Sequence, residues 1–295
     1  MKLTVSQMLV AGGIGAVVII LLSMMNWRRA VHAALITALL EGALRKWVLP
    51  QASELVYFLK DIILFGAYLK FFMFPDPEDR GWRLNIPHSL IVSVVFILVL
   101  AGALNPNIGS PLLAAYGLKI YLWYLPLGLM MPLLFRNERH MIDLLYRYSL
   151  FAIPICLLGA AQFVAPVDSW INTYATSEYA GVKDVATFGS GQAARARVTG
   201  TFSYIGGHTT FVVVFFILSL SLLVNLEGQR RLVLLFGSLP LLLGNALMTG
   251  SRGTVFYLLL ITVLVVSVSA VTKVGKTKNA ILYLVAGLGV AVIGG

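Results

Sequence analysis

Thr209-Thr210-Phe211-Val212-Val213-Val214-Phe215-Phe216-Ile217-Leu218-Ser219-Leu220-Ser221-Leu222-Leu223-Val224-Asn225-Leu226 runs eighteen residues without a charged side chain. A hydrocarbon core about 30 Å thick takes about 20 helical residues to cross, so this stretch reads as a membrane helix. Similar blocks flank it on both sides. They run roughly Gln7 to Met25, Ala30 to Leu44, Leu55 to Phe74, Ser89 to Leu104, Pro111 to Phe135, Tyr148 to Ala165, Leu232 to Met248, Thr254 to Val271 and Ala280 onward. With 59% hydrophobic and 12% charged residues among 295, and a mean hydropathy of +0.89, a water-soluble globular enzyme is excluded. The expected fold is all-α: one integral membrane domain over residues 1–295, a polytopic bundle of about ten hydrophobic segments with one long external loop, about 166–208. No internal repeat of 20 to 50 residues is visible.

The net charge of +10 follows from membrane topology and not from nucleic-acid binding, because basic residues collect in cytoplasmic loops and no DNA-binding motif accompanies them. Sorting Lys and Arg by alternate gaps puts 13 on one side (Arg28, Arg29, Lys70, Arg80, Arg83, Arg136, Arg139, Arg147, Arg230, Arg231, Lys273, Lys276, Lys278) and 7 on the other (Lys2, Arg45, Lys46, Lys183, Arg195, Arg197, Arg252). The richer side is expected in the cytoplasm, which leaves the N-terminus and the Pro166–His208 loop outside. The first segment has no small-residue cleavage site after Ser23-Met24-Met25-Asn26 and reads as an uncleaved anchor. The last stops at Gly295 in apolar sequence without a polar flank, so a C-terminal part is expected beyond it. Cys156, alone inside an apolar block, reads as a small core residue.

Charge at membrane depth is costly and therefore informative. Glu54, Tyr57, Asp61 and Tyr68 recur on one face of a helix. Glu41 and Arg45, four apart, can pair, while Lys60 and Lys119 need partners. These groups serve either as polar glue between helices or as a proton or ion path and support for an outer site.

Three arginines stand on the side that membrane topology keeps poor in them. Arg195 and Arg197 close the external loop in Ala194-Arg195-Ala196-Arg197-Val198-Thr199-Gly200-Thr201-Phe202, and Arg252 sits in Thr249-Gly250-Ser251-Arg252-Gly253. A guanidinium offers a planar fork of donors that matches phosphate oxygens, so a phosphate-bearing lipid or lipid-linked substrate fits; snorkelling to phospholipid, or pairing with Asp168, Glu178 or Asp184, is the alternative. His208, in Gly206-Gly207-His208-Thr209-Thr210, is a candidate general acid or base, or simply a helix cap. Trp170, Tyr174 and Tyr179 read as interfacial anchors that can also stack on sugars. There is no P-loop, dinucleotide fingerprint, His-Glu-x-x-His or nucleophile elbow, and the expected chemistry uses neither metal nor cofactor.

Arg197-x-x-Gly200-x-Phe202 closing a long external loop, followed two segments later by Thr249-Gly250-Ser251-Arg252-Gly253, resembles the O-antigen ligase and O-antigen polymerase superfamily of bacterial membrane glycosyltransferases. Arg195 and Gly206, with ten residues between them, are similar to a spacing in the polymerases. The resemblance covers roughly the second half of the chain; Glu41-Gly42-Ala43-Leu44-Arg45-Lys46-Trp47 and the rest of the first half share only the multi-helical character. It implies an inner-membrane enzyme that moves a glycan from an undecaprenyl-pyrophosphate carrier to an acceptor hydroxyl on the outer leaflet. It also implies pyrophosphate binding by Arg197 and Arg252, with Arg195 beside them. The family's second large external loop, which holds a functional His in the ligases, would begin past Gly295, and its usual cytoplasmic N-terminus differs from the charge count here. The alternative is a transporter or flippase for a lipid-linked oligosaccharide or other anionic substrate, with the Glu54/Asp61 stripe as its path and Pro126, Pro154 and Pro240 as helix breaks.

Overall fold

A computed structural model describes residues 5–79, 89–135, 137–175, 185–191 and 194–271. About 80% of it is helix, with almost no strand. The helices are α1 (Val5–Met25), α2 (Trp27–Ala43), α3 (Ser53–Tyr68), α4 (Ser89–Ala103), α5 (Pro111–Leu122), α6 (Leu125–Leu134), α7 (Glu138–Ser149), α8 (Ala152–Val164), α9 (Ile205–Asn225), α10 (Gly228–Val233), α11 (Leu239–Met248) and α12 (Arg252–Val271). β1 (Thr187–Phe188) and β2 (Arg195–Ala196) pair antiparallel, with Thr187 opposite Ala196 and Phe188 opposite Arg195.

Four helical stretches are long and apolar enough to cross a membrane: Pro111–Leu134, Glu138–Val164, Ile205–Asn225 and Gly228–Met248. Shorter apolar helices cover Val10–Met25, Leu90–Ala103 and Arg252–Val265. The expectation of about ten spans is not confirmed: four full-length candidates stand among the described residues. The segment from Ala280 onward lies outside those residues. α2 carries Arg28, Arg29 and Glu41, and α3 carries Glu54, Lys60 and Asp61, so neither reads as a plain apolar span.

Of the three prolines named above, Pro126 and Pro240 are second residues of α6 and α11, and Pro154 is third in α8, while Pro132 lies inside α6. A π-helical turn, Leu234–Ser238, precedes Pro240 and absorbs the break in the ladder within the Gly228–Met248 stretch.

The described residues fall into two compact units, one within Met1–Ala38 and Tyr57–Arg136, the other within Leu39–Val56 and Asn137–Gly295. The first is cored by Trp27, Val31, Ile63, Leu64, Ala67, Phe71 and Met130. Its polar ends are tied by Arg28 to Asp79 (2.8 Å) and Lys70 to Asp76 (2.6 Å). In the second, α9 packs against α7, α11 and α12, while α8 packs on α11. Phe211, Val212, Phe215, Phe216, Leu220 and Leu223 of α9 fill that core, yet Val214 and Ile217 on the same helix are exposed. A helix apolar on both its packed and exposed faces is what lipid requires.

Candidate functional site

The polar centre of the second unit is a strap, residues 197–203, which crosses buried space without a sheet to satisfy its backbone. It leaves the β1–β2 pair where the Arg197 N–H donates to the Ala186 carbonyl at 2.8 Å, then turns at Gly200, whose φ of +54° lies in the left-handed region that glycine reaches without strain. Buried backbone groups need partners, and side chains supply them here. Gln162 of α8, fully buried, accepts from the N–H groups of Thr199 (3.2 Å) and Gly200 (2.7 Å) and donates to the carbonyls of Ile171 (3.0 Å) and Gly200 (3.3 Å). Both ends of its amide are thus used.

The 39–56 segment holds the other edge of the strap. Lys46, buried, donates to the Gly200 carbonyl at 2.7 Å and to Thr199 Oγ1 at 3.1 Å. Arg45 donates to Ser203 Oγ (2.9 Å) and Ser53 Oγ (3.0 Å) and pairs with Glu41 at 3.5 Å, the partnership expected from their spacing. Thr201 Oγ1 donates to the Leu39 carbonyl at 2.5 Å. Gly42 lets the α2 backbone lie directly on the strap, since a Cβ there would collide with backbone atoms of Thr201, Phe202 and Ser203.

His208 lies under the strap. It is fully buried in the first turn of α9, four residues into a helix that starts at Ile205 and not at Thr209. It therefore does not cap the helix; Tyr204 holds that position. Its Nε2 stands 3.1 Å from Asn245 Oδ1, while Asn245 Nδ2 donates to the carbonyls of Cys156 (2.9 Å) and Leu241 (3.0 Å). Nδ1 faces Gly200, whose missing side chain makes room for it. In this conformation the imidazole meets the strap and α11, not the molecular surface.

Of the three arginines, Arg197 is bonded to the turn after α11. Arg197 donates through Nε to the Thr249 carbonyl (3.0 Å) and through Nη2 to that of Gly250 (3.2 Å). Gly250, with φ +62°, is covered by Phe188, the residue opposite Arg195 in the strand register. Arg252 begins α12 two residues later and is exposed, as is Arg195; among the described residues Arg252 makes no hydrogen bond or ion pair. Arg197 has three N–H bonds beyond the two it uses here. Trp170 is exposed and accepts at its carbonyl from Trp47 Nε1 (3.3 Å). Tyr174 is held inward by Ala186 N–H at 3.2 Å, and burial raises its pKa. Tyr179, Glu178 and Asp184 lie outside the described residues.

A second polar cluster belongs to the first unit. Lys119 Nζ is 2.6 Å from Asp61 Oδ2, Tyr124 OH donates to Asp61 Oδ1 at 2.8 Å, and the Lys119 ammonium lies 4.0 Å from the Tyr57 ring centroid. Lys60 donates to the Tyr57 carbonyl at 3.1 Å. Asp61 and Lys119 border a cavity of about 340 Å³ whose other walls are Ile20, Phe58, Ile62, Phe65 and Trp123. Lys119, which needed a partner, has one.

Inspection of the sequence did not single out Gln162, Asn245 or Lys46 as site residues. The signal available was an amide side chain inside an apolar run, which predicts a buried hydrogen-bond partner without saying which one. No family model matches this chain, and neither a curated protein nor a solved structure matches it.

Proposed function

We propose that this chain is a bacterial cell-surface polysaccharide polymerase or ligase. In this reading it is a multi-pass inner-membrane glycosyltransferase that passes a glycan from an undecaprenyl-pyrophosphate carrier to an acceptor hydroxyl on the outer leaflet, without metal or nucleotide sugar. The observation that carries this reading is the pair of hydrogen bonds from Arg197 to the carbonyls of Thr249 and Gly250, because they join the two arginine motifs on which the family resemblance rests. The placement of Arg45 and Lys46 against the 197–203 strap supports one shared exoplasmic side for both stretches, as the charge count requires.

The acceptor hydroxyl attacks the anomeric carbon and gives its proton to solvent as the bond to pyrophosphate breaks, and the pyrophosphate leaves with the electron pair. Guanidinium groups of Arg252, Arg195 and the free edge of Arg197 offset the charge that develops, each contributing about 3 kcal/mol by analogy with single oxyanion donors. His208 acts through the strap in this scheme, since it is buried beneath Gly200. Arg252→Ala, at unchanged protein level, is expected to abolish polymer or capped product while lipid-linked precursor accumulates. Normal product from that variant removes the proposal.

A second reading rests on the Asp61–Lys119 pair beside its cavity, which suits a transporter or flippase whose flux follows an ion gradient. Asp61→Asn changes the gradient dependence of flux if that reading holds and leaves a transferase without any such dependence.

A further inference from the structure

Among the described residues, Lys46 pairs with no carboxylate. Glu41, the nearest acid in its segment, pairs with Arg45, and the Lys46 amine closes on two neutral acceptors, the Gly200 carbonyl and Thr199 Oγ1, with the Trp47 ring centroid 4.4 Å away. The remaining titratable neighbours are His208 of α9, across Gly200, and Arg197 three residues up the strap, while α8 contributes the neutral Gln162. We propose that Lys46 is the positioning residue of this site: by closing on Thr199 and Gly200 it sets the strap that delivers Arg197 to the 249–250 turn. The inference deepens the transferase reading and rests on it for its catalytic meaning, though the clasp itself can be measured without substrate.

The chemistry of the clasp gives it a signature. A neutral amine has two N–H donors, which matches the two acceptors present, whereas an ammonium must bring a full charge into the same buried place. Lys46 lies past Leu44, where the second apolar segment ends, and burial lowers its pKa from 10.5 to about 7. A lysine whose pKa is low when the strap is closed and ordinary when it is open favours closure as the pH rises. The closed state gains up to about tenfold per pH unit between the two values and gains nothing further below the lower one.

The test is amide hydrogen exchange on the purified full chain, corrected for intrinsic rates, between pH 6.5 and 9.5. It is read at Thr199 and Gly200, whose N–H groups bind Gln162, and at Thr249 and Gly250 in the turn. Wild-type protection is expected to rise steeply above neutrality at both places together. Lys46→Met should flatten that rise, and Lys46→Gln, which keeps a donor but cannot titrate, should be flat as well and serves if the methionine variant does not fold. The proposal is overturned if either variant follows the wild-type pH course, or if the strap responds while the turn does not. A wild-type chain that shows the clasp but transfers no glycan from a lipid-pyrophosphate donor sinks the transferase reading alone.

Discussion

Arg197 reaches 52 residues along the chain to place its Nε 3.0 Å from the carbonyl of Thr249. The carbonyls at the end of a helix lack intrahelical partners and carry the negative end of its dipole, so a guanidinium there serves as a cap for α11. The same two bonds bring Arg197 beside the turn that precedes Arg252. One side chain thus satisfies the helix end and ties the 197–203 strap to the turn before Arg252.

Arg197→Ala should lower the stability of the purified protein by about 1 kcal/mol, because the group is only partly buried and its bonds are partly replaced by water. Arg197→Lys keeps the charge but cannot span two carbonyls with a planar fork, so its thermal midpoint should fall with that of the alanine variant. A lysine variant that melts with the wild type would show that the fork is not what holds the turn.

Gly42→Ala and Gly159→Ala test the close approaches around the strap. A Cβ at Gly42 collides with strap backbone, and one at Gly159 collides with Asn245 Oδ1, the partner of His208. Overpacking of this kind costs about 1 to 3 kcal/mol, and the Gly42 variant should suffer more because backbone cannot swing aside as a side chain can. Gly244→Ala, with nothing within 4 Å, is the control expected to be neutral. Melting curves of the three variants in one detergent decide the order.

Asp61→Asn and Lys119→Met each leave a buried partner uncompensated, which costs about 3 to 5 kcal/mol when the charge is fully enclosed and less here, where Lys119 keeps some exposure. The double variant should recover most of the loss. If the double is as unstable as the sum of the singles, the pair does not act as a pair, and the first unit depends on each group separately.

The resemblance to the transferases was carried by Arg197, Gly200, Phe202 and the 249–253 turn, all of them readable in one dimension. Their roles were not. Gly200 stood out only within the Arg197-x-x-Gly200-x-Phe202 pattern, and the structure packs His208 against it. His208 itself read as an acid–base candidate or a helix cap, because the apolar run begins at Thr209. The helix instead begins four residues earlier, and that single turn rotates the imidazole into the core. Glu41 and Arg45 were paired correctly because four residues is one helical turn. Lys119 and Asp61 were flagged separately and not joined, since 58 positions separate them.

Sequence alone determined that this chain is a helical membrane protein and where most of its helices run, because transfer of apolar side chains from water to hydrocarbon is additive along a segment and needs no knowledge of partners. It also determined which arginines stand out. Only the tertiary structure decided that Gln162, Lys46 and Asn245 build the support, because a buried amide or amine must find a partner somewhere while local sequence does not say where. The Lys46 bond to Gly200 spans 154 positions, and its existence depends on how α2, α8 and the strap pack, not on any pattern within one of them.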